Sequence, residues 1–598
     1  MASLDAAGVA GRRRPAVALT DRAEAAATLV LWGAVAAVLA WRGFAGSLDA
    51  LSSDDAMRLV EVRDFLAGQG WFDLMQRRLD PPDGVLMHWS RLIDLPIAAL
   101  LWTFERLLSP EAALKATLTV WPLLPLAVAL IGASAAGRSL GGPGAGLAAA
   151  LLFALSPGAM GAFQPGAIDH HGPQIALAMA LLACVLRLDR SDRAAVGGGL
   201  AAAAMLAIGL ETLPALASLA AIVALRFAIQ GRALARGAAL FGASFALFTA
   251  AAFVATTPPA RWLVPACDAL ASGHLVAAAL GGGGLALATR ARGDGVLARL
   301  AALALVGAVV VIGIALVASA CLGDPYAALP ERLKIEWLDR IREAQGAFTL
   351  WADDPETSVV IAVSALFGLA AAAALCATSR GDDRWRAWTA AAAVAVACLV
   401  AAWQIRGVTL ALAFAAPVLG AAAVRFARNG EPLAARAALA LIALNPVTAG
   451  VAGLGLAHAA SLKGTPASVA PLAACPRSDY AALARLAPGL ALNNSDAGPF
   501  VLAFTPHAVV AAPYHRGVDG LTAQVDALTG SAEEARAVAL SRRAAYVVIC
   551  PGQGDVAGFA ARYPDGFAAA LLAGETPAWL RPVDLGPDAR LRAYRVAP

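Results

Sequence analysis

Charged residues are scarce in this chain. They make up 15% of the 598 residues, whereas soluble domains contain about a quarter. Apolar residues account for 60%, and the mean hydropathy is +0.68. This composition excludes an ordinary soluble domain and predicts a polytopic membrane protein.

Other features that the sequence lacks reduce the range of possible functions. No basic patch interleaved with aromatic residues occurs, so nucleic acid is not an expected partner. The sequence also shows no internal repeat. The seven cysteines include no Cys-x-x-Cys pair. Cys184, Cys376 and Cys398 lie in apolar stretches and are interpreted as apolar fillers. Cys475 and Cys550 lie in the C-terminal tail, where a disulfide and two free thiols are both open.

Apolar windows of about 20 residues, each long enough to cross a bilayer, recur along the chain. We count thirteen, near residues 24–46, 112–136, 143–160, 173–188, 194–210, 212–229, 236–256, 270–290, 297–321, 357–378, 386–404, 407–426 and 434–457. The first window is too long for a signal peptide and is retained as a span. The stretch 92–108 is ambiguous, because it is short and contains charged residues and a proline.

Arginine positions resolve this ambiguity. If 92–108 lies in or dips into the outer interface without crossing, the arginine-bearing loops fall on one side, as expected for cytoplasmic loops. These loops lie at 12–14, 138, 187–193, 226–236, 290–299, 380–386 and 425–436. The N-terminus is then cytoplasmic, and the opposite face receives the segments 47–111, 161–172 and 322–356 and the C-terminal tail.

The tail differs in character from the rest of the chain. Residues 545–549 read as a short buried strand before Cys550-Pro-Gly, and residues 531–541 read as a helix. We therefore predict a transmembrane domain over 1–460 and a periplasmic α/β domain over 461–598. The alanine-rich bias is interpreted as a high-GC bacterial composition, which predicts a location in the bacterial inner membrane.

Two polar clusters follow the first and third spans, Ser53-Asp54-Asp55 and Asp169-His170-His171. An odd number of spans places both on the same face, so they can meet. Each also has a plain interpretation as a helix N-cap. Carboxylates and imidazoles at the membrane boundary are costly unless they bind an ion or do chemistry. Oxygen and imidazole ligands suit Mn²⁺ or Mg²⁺.

Two further sites lie on the predicted outer face. Glu343 belongs to the charged segment after the ninth span, which is otherwise interpreted as a solvated amphipathic helix. Arg406 lies between two apolar runs, where an unpaired guanidinium is costly and a phosphate is a natural partner. Glu211, between the fifth and sixth spans, is a helix-end residue or a pocket group, and we rank Arg406 above it.

The order of these motifs along the chain resembles the order in the catalytic subunit of oligosaccharyltransferases, a GT-C glycosyltransferase family. The similarity extends over nearly all of the membrane part, most clearly from Ser53 to Thr212, including Gly166-Ala-Ile-Asp169-His-His. The resemblance implies that Asp54, Asp169 and His171 are ligands of a divalent metal. It also implies a catalytic role for Asp54, with Asp55 as the alternative. Glu343 matches the late-loop glutamate, and Arg406 matches the arginine that binds the lipid phosphate.

One family motif is missing. The acceptor-peptide motif Trp-Trp-Asp-Tyr-Gly has no counterpart after residue 460, so recognition of an Asn-x-Ser/Thr peptide is not implied. The tail instead contains 493–499, His507 and the run Tyr514-His515-Arg516. These tail residues line an acceptor or sugar cleft or are ordinary loop residues. His170, beside the predicted ligands, is a further candidate site residue or a histidine at the membrane interface.

The sequence thus predicts a membrane glycosyltransferase with a polyprenyl-phosphate or polyprenyl-diphosphate sugar donor. Transfer at the outer face would be metal-assisted and, by resemblance, inverting. The acceptor, a glycan, a lipid or a protein, is left open. Two alternatives remain: a transporter or flippase, and a non-catalytic assembly protein of envelope glycan synthesis. A transporter would place its acids near mid-bilayer, usually among broken helices and repeats.

Overall fold

The computed structural model describes residues 20–428 and 475–597, except positions 48, 50, 291–294, 325, 348, 350 and 352–354, together with the single residue 455. The predicted span 434–457, the arginines at 12–14 and the predicted domain boundary at 460 therefore lie outside the described residues.

Most of the described chain before residue 429 is helical. The helices are α1 (Asp21–Ala45), α2 (Ser53–Leu66), α3 (Arg91–Glu105), α4 (Pro110–Val120), α5 (Leu123–Gly141), α6 (Ala145–Ala154), α7 (Pro157–Met160), α8 (His171–Val185), α9 (Asp192–Ile208), α10 (Leu213–Gln230), α11 (Arg232–Thr256), α12 (Ser272–Ala288), α13 (Val296–Ala318), α14 (Glu331–Glu336), α15 (Pro355–Thr378), α16 (Asp382–Trp403) and α17 (Gly407–Arg428). A two-residue hairpin, β1 (Met75–Gln76) and β2 (Val85–Leu86), lies between α2 and α3.

Eight stretches of the described chain are long and apolar enough to cross a membrane. They are α1, α4 with α5, α10, α11, Val296–Leu322, Ile361–Thr378, α16 and α17. The pair α6 and α7 is a ninth candidate that bends by 72°, whereas α8 and α12 are shorter apolar helices. Helix α3, which covers the ambiguous stretch, is not among the candidate spans. The polytopic helical architecture is confirmed, and the count of thirteen spans stays a prediction.

Small residues set the close packing of α9, α11 and α12. A Cβ atom on Gly242 would lie 2.3 Å from the Gly282 carbonyl oxygen, and one on Gly199 would lie 2.0 Å from Ser244 Oγ. Membrane helices associate through such close backbone approach, because lipid offers no hydrophobic driving force between them. These contacts hold α9, α11 and α12 together.

A buried charge cluster joins α2 to α3. Arg58 Nη1 donates to Glu61 Oε2 at 2.9 Å and to Asp94 Oδ1 at 2.7 Å, while Arg91 Nη1 donates to Asp94 Oδ2 at 2.9 Å. All four side chains are buried. Two cations and two anions thus neutralise one another beneath the first outer segment and fix α2 against α3.

We expect Asp94→Ala to destabilise the protein by about 3–5 kcal/mol, since it leaves Arg58 and Arg91 buried with a single counter-charge. The measurement is the thermal unfolding midpoint in detergent, with the exposed Asp83→Ala as the matched control. Equal midpoints for the two variants would contradict this role.

Residues 475–597 form a separate five-stranded sheet with the order β4-β3-β5-β7-β6. Its elements are α18 (Arg477–Leu483), β3 (Leu490–Asn493), α19 (Gly498–Phe504), β4 (Ala508–Val509), α20 (Val518–Thr529), α21 (Ala532–Ser541), β5 (Tyr546–Ile549), α22 (Gly554–Arg562), α23 (Phe567–Ala573), β6 (Leu580–Pro582) and β7 (Arg592–Val596). β3 pairs in parallel with β4 and β5, while β7 pairs antiparallel with β5 and β6. A small C-terminal α/β domain is confirmed.

The two faces of this sheet have different partners. Helix α19 packs on one face in a core shared with α2 and α3. Helices α20 to α23 pack on the other face in a core of their own, joined there by α14. The C-terminal domain therefore packs through α19 on the segment that contains α2 and α3.

Two disulfides stabilise the predicted outer region. Cys475 and Cys550 are bonded, which resolves the alternative left open by the sequence. The second bond, Cys267–Cys321, joins the loop after α11 to the turn after α13, and the sequence did not predict it. The other three cysteines are free, as interpreted from the sequence.

Candidate active site

The two adjacent aspartates at the start of α2 have different surroundings. Asp55 Oδ2 accepts hydrogen bonds from the Ser52 backbone N–H at 3.0 Å and from Ser52 Oγ at 2.7 Å, which completes a capping box. Asp55 Oδ1 accepts from the backbone N–H groups of Ile168 at 2.7 Å and Asp169 at 3.1 Å. Asp55 thus fastens the second polar cluster to the first, and the N-cap interpretation applies to it.

Asp54 is free of such backbone bonds. Its side chain is half-buried, and the Tyr514 hydroxyl donates to the carbonyl of the adjacent Ser53 at 3.4 Å. Burial, together with the charges of Asp169 and Glu343, raises the pKa of Asp54 to about 6, although His171 opposes the shift. A carboxylate held near other carboxylates suits a role toward a cation or a reacting proton.

Asp169 and His171 form a pair within the second cluster. Asp169 Oδ2 lies 2.6 Å from His171 Nδ1, and Asp169 Oδ1 accepts from the His171 backbone N–H at 2.9 Å. Burial opposes ionisation of Asp169, but His171 and His170 lower its pKa overall. Because Nδ1 faces the carboxylate, the Nε2 atom of His171 is the ring nitrogen available to a ligand.

His170 points to a different partner. Its Nε2 lies 3.1 Å from Glu211 Oε1, and Gln174 Nε2 donates to Glu211 Oε2 at 2.8 Å. His170 is 3% exposed, and its Nδ1 has no hydrogen-bond partner within the described residues. Glu211 therefore orients His170, so the residue that the sequence ranked lower is part of the same cluster.

Glu343 and Arg406 lie on two segments that hydrogen-bond to each other. The Arg406 backbone N–H donates to the Glu343 carbonyl at 3.1 Å, and Ile405 N–H donates to Gln345 at 2.9 Å. The Arg406 Nε atom is buried and lacks a hydrogen-bond partner across the ranges the structure describes. Glu343 is near enough for its charge to raise the pKa of Asp54. The late outer segment therefore meets the first two clusters.

The tail residues proposed from the sequence divide between three places. Tyr514 reaches the start of α2, with its hydroxyl 3.4 Å from the Ser53 carbonyl oxygen. His515 and Arg516 instead bind Asp268, at 2.7 Å each. His507 is fully buried in the C-terminal domain, where Nδ1 accepts from Gly489 N–H and Nε2 donates to the Leu483 carbonyl. The cleft interpretation is wrong for His507, because both of its ring nitrogens are used inside the core.

One group of three potential metal ligands in the described chain, His88, Asp268 and His515, has its ligand atoms within 4.8 Å of one another. Its single carboxylate is already occupied, because Arg516 donates to both oxygens of Asp268 at 2.7 Å and His515 adds a third bond. A divalent cation would compete with this guanidinium at the only anionic ligand. We therefore interpret the group as an anchor for the C-terminal domain.

Asp54, Asp169 and His171 stay predicted ligands, because they do not form a group of described residues whose ligand atoms all lie within 4.8 Å of one another. Their side chains, two partly buried carboxylates and an imidazole whose Nε2 has no hydrogen bond to a described residue, are of a type that suits a divalent cation. The three side chains come from two outer segments that Asp55 ties together.

Sequence reasoning missed several neighbours of the site. His88 Nδ1 is buried and unbonded within the described chain, and Trp89 packs against both Tyr514 and His170. Tyr326 is close enough to Arg406, Asp268 and Glu343 for their charges to affect its pKa, which burial raises. The concentration of histidines in the predicted outer segments was the one signal that pointed to His88.

No family model matches this chain, and no curated protein does. Solved structures do match. The oligosaccharyltransferase of Archaeoglobus fulgidus, tethered to an acceptor peptide containing the NVT sequon, is 13% identical with a TM-score of 0.66, over 97% of this chain and 74% of that one.

The archaeal oligosaccharyltransferase AglB from Archaeoglobus fulgidus, in complex with an inhibitory peptide and a dolichol-phosphate, is 13% identical with a TM-score of 0.61, over 88% and 69% of the two chains. The Archaeoglobus fulgidus enzyme in complex with Zn and sulfate is 14% identical with a TM-score of 0.60, over 95% and 73%. The chain therefore has the fold of the GT-C membrane glycosyltransferases of the oligosaccharyltransferase type.

Proposed function

We propose that this protein is a membrane glycosyltransferase that moves a sugar or oligosaccharide from a polyprenyl-phosphate or polyprenyl-diphosphate donor to an acceptor at the outer, periplasmic face of a bacterial inner membrane. One observation carries the proposal. The charges of Asp169 and Glu343, from two other predicted outer segments, act on Asp54, and the Arg406 backbone N–H donates to the Glu343 carbonyl at 3.1 Å.

The surroundings of Arg406 suit an amphipathic donor. A cavity of about 430 Å³ lies between α15, α16 and α17, and its lining includes Ile405 and Val408, the close neighbours of Arg406. The lining is mostly apolar, with Ile361, Ala402 and Leu412 among its members. A cationic group next to an apolar cavity matches a phosphate attached to a hydrocarbon chain. The dolichol-phosphate bound by the archaeal enzyme is consistent with this donor class.

The leaving group of such a donor is an anionic phosphate, so the transition state gains from fixed positive charge near that oxygen. Arg406 supplies it from a partly buried position, where a guanidinium stabilises an anion more strongly than it would in water. A divalent metal, held by Asp54, Asp169 and His171, would supply additional charge stabilisation there. The Zn-bound archaeal neighbour agrees with a metal requirement without fixing the ion.

Asp54 is the group best placed to act on the acceptor. It lies at the tip of α2, where no backbone N–H of a described residue donates to its carboxylate, and the Tyr514 hydroxyl donates to the adjacent Ser53 carbonyl. A carboxylate with a raised pKa can orient an acceptor hydroxyl or amide and accept its proton. Attack on the side opposite the phosphate would invert the anomeric configuration. Asp55 acts by positioning, because its oxygens are used in holding Asp169 and Ser52.

The alternatives predict a different chemical outcome. A transporter, a flippase or an assembly protein would leave the bond between sugar and lipid phosphate intact. The cluster lies at the ends of α2 and α8 and in the loops beside them, not within the middle of a span. This location favours chemistry at the membrane surface.

Metal removal tests the proposal directly. The purified protein is incubated with lipid-linked sugars extracted from the source membranes, and their loss is followed by mass spectrometry. We expect sugar release or transfer to fall by about 10²-fold or more in excess EDTA and to return with Mn²⁺ or Mg²⁺. Donor that is never consumed by the metal-replete protein would refute the proposed function, and equal rates with EDTA would refute its metal dependence alone.

A further inference from the structure

The side chain of His515, in the C-terminal domain, contacts residues from three other segments of the chain. Its Nε2 atom lies 2.7 Å from Asp268 Oδ2, in the loop after α11. Its ring centroid lies 4.9 Å from that of His88, which follows β2, and 5.7 Å from that of Tyr326, which follows α13. Asp268, His88 and Tyr326 therefore form a socket that receives His515.

Asp268 also holds the next residue of the tail. Its two carboxylate oxygens accept hydrogen bonds from Arg516 Nε and Nη2, at 2.7 Å each. Arg516 Nη1 donates to the backbone carbonyls of Leu86 at 3.2 Å and Met87 at 3.3 Å. Only 24% of the Asp268 side chain and 19% of the Arg516 side chain are exposed, so this two-pronged pair is better shielded than a surface ion pair. One carboxylate thus fixes the run 514–516 against the segment that follows β2.

The run 514–516 leads from the socket to the candidate active site. Tyr514 packs edge-to-face against Trp89, with 5.3 Å between the ring centroids. The Trp89 ring lies 5.7 Å from that of His170, which stacks on the ring of His171 at 4.5 Å. A continuous series of ring contacts therefore joins the run 514–516 to a predicted metal ligand.

A disulfide joins two sides of the socket. Cys267, the residue before Asp268, is bonded to Cys321, and Tyr326 follows Cys321 in the chain. The bond thus ties the loop that carries Asp268 to the segment that carries Tyr326. Such support matters, because a functional group on a loop is held precisely only when the surrounding structure fixes that loop.

We propose that Asp268 is a positioning residue for glycosyl transfer, because it holds the run 514–516 in the place that supports the cluster at 169–171. The Cys267–Cys321 bond keeps Asp268 in position. This inference rests on the proposed function and goes beyond it, since it names a residue that acts on the reaction without touching the donor.

The expected effect is on turnover and not on donor binding. Catalytic groups displaced by about 1 Å lose on the order of 10²-fold in rate. Asp268 does not line the apolar cavity beside Arg406, so donor binding should be unaffected. We therefore expect Asp268→Asn to lower kcat by about ten-fold or more and to keep KM for the donor within about two-fold of the wild type. Asp268→Glu, which keeps the carboxylate, should recover part of kcat.

The test uses purified variants and lipid-linked sugars extracted from the source membranes, whose consumption is measured by mass spectrometry at several donor concentrations. Arg516→Lys keeps the positive charge but loses the two-pronged pair, so it should also lower kcat at an unchanged KM. It provides the test if Asp268→Asn does not fold. Asp565→Asn changes an exposed aspartate of the C-terminal domain and should match the wild type.

A mutant cycle tests the role of the disulfide. Replacing Cys267 and Cys321 together by serine should lower kcat at an unchanged KM. Adding Asp268→Asn should then cause little further loss, because both changes release the same carboxylate. The matched control replaces Cys475 and Cys550 by serine. That disulfide lies in the C-terminal domain, so any loss of kcat it causes should multiply with the loss from Asp268→Asn.

Three results would overturn the inference. In the first, Asp268→Asn and Arg516→Lys both keep the wild-type kcat, or raise KM without lowering kcat. In the second, Asp268→Glu is no more active than Asp268→Asn. In the third, the losses from Asp268→Asn and from the Cys267–Cys321 replacement multiply. A wild type that consumes no donor would instead refute the proposed glycosyl transfer, so the two failures are distinguishable.

Discussion

Replacing Asp54 with asparagine is expected to lower the rate of sugar transfer by about 10³-fold or more, with no change in the thermal unfolding midpoint. The reason is geometric. Asp54 makes no backbone hydrogen bond that supports the fold, while its carboxylate faces Asp169, His171 and Glu343. Asparagine keeps the size of the side chain and removes the charge. The measurement is consumption of lipid-linked sugar by the purified variant.

Asp55→Asn is the matched comparison, because it changes the adjacent residue in the same way. Asp55 caps α2 and accepts from the backbone N–H groups of Ile168 and Asp169, so this variant should lower the unfolding midpoint as well as activity. Asp83→Asn, which changes an exposed aspartate in the same predicted outer segment, should change neither the rate of sugar transfer nor the unfolding midpoint. Near-normal transfer by Asp54→Asn would refute the assignment of this residue.

Arg406→Ala is expected to lower kcat/KM for the lipid-linked donor by about 10²-fold or more, because it removes the partly buried cation beside the apolar cavity. Arg406→Lys should recover only part of this loss, since an ammonium cannot reproduce the planar fork of a guanidinium. Binding of undecaprenyl phosphate to the purified protein, followed by native mass spectrometry, should weaken in the same order.

The control for Arg406 is Arg340→Ala, which removes an exposed arginine from the late outer segment. It should leave donor binding and turnover unchanged. If Arg406→Ala bound undecaprenyl phosphate as tightly as the wild type, the phosphate would have to lie elsewhere.

The sequence predicted the helical architecture well because a membrane imposes a strong compositional signal. Long apolar windows could not reveal where a span breaks, however. The window 143–160 is two helices bent by 72°, with Pro157 at the start of the second, and its apolar composition is the same on both sides of the break. The small α/β domain was recognisable from its mixed runs, while its order of strands was not.

For the candidate site, the sequence pointed to clusters that the structure brings together, but it could not separate Asp54 from Asp55. Both are acidic residues at a helix start, and the difference arises only from the backbone of residues 168 and 169, which folding brings to Asp55. The contacts of Asp268 with His515 and Arg516 likewise join residues almost 250 positions apart, at a distance where no local pattern exists. His507 looked like a cleft residue because sequence alone does not show burial.

We propose that this chain breaks the bond between a sugar and a polyprenyl phosphate at the cluster formed by Asp54 and Asp169. The most direct measurement is the lipid-linked sugar pool of a deletion strain, analysed by mass spectrometry and complemented with wild type or Asp54→Asn. We expect one lipid-linked sugar to accumulate in the deletion strain, to fall when the wild-type protein is restored and to stay high when Asp54→Asn is supplied. An unchanged pool on deletion, or full complementation by Asp54→Asn, would contradict the proposal.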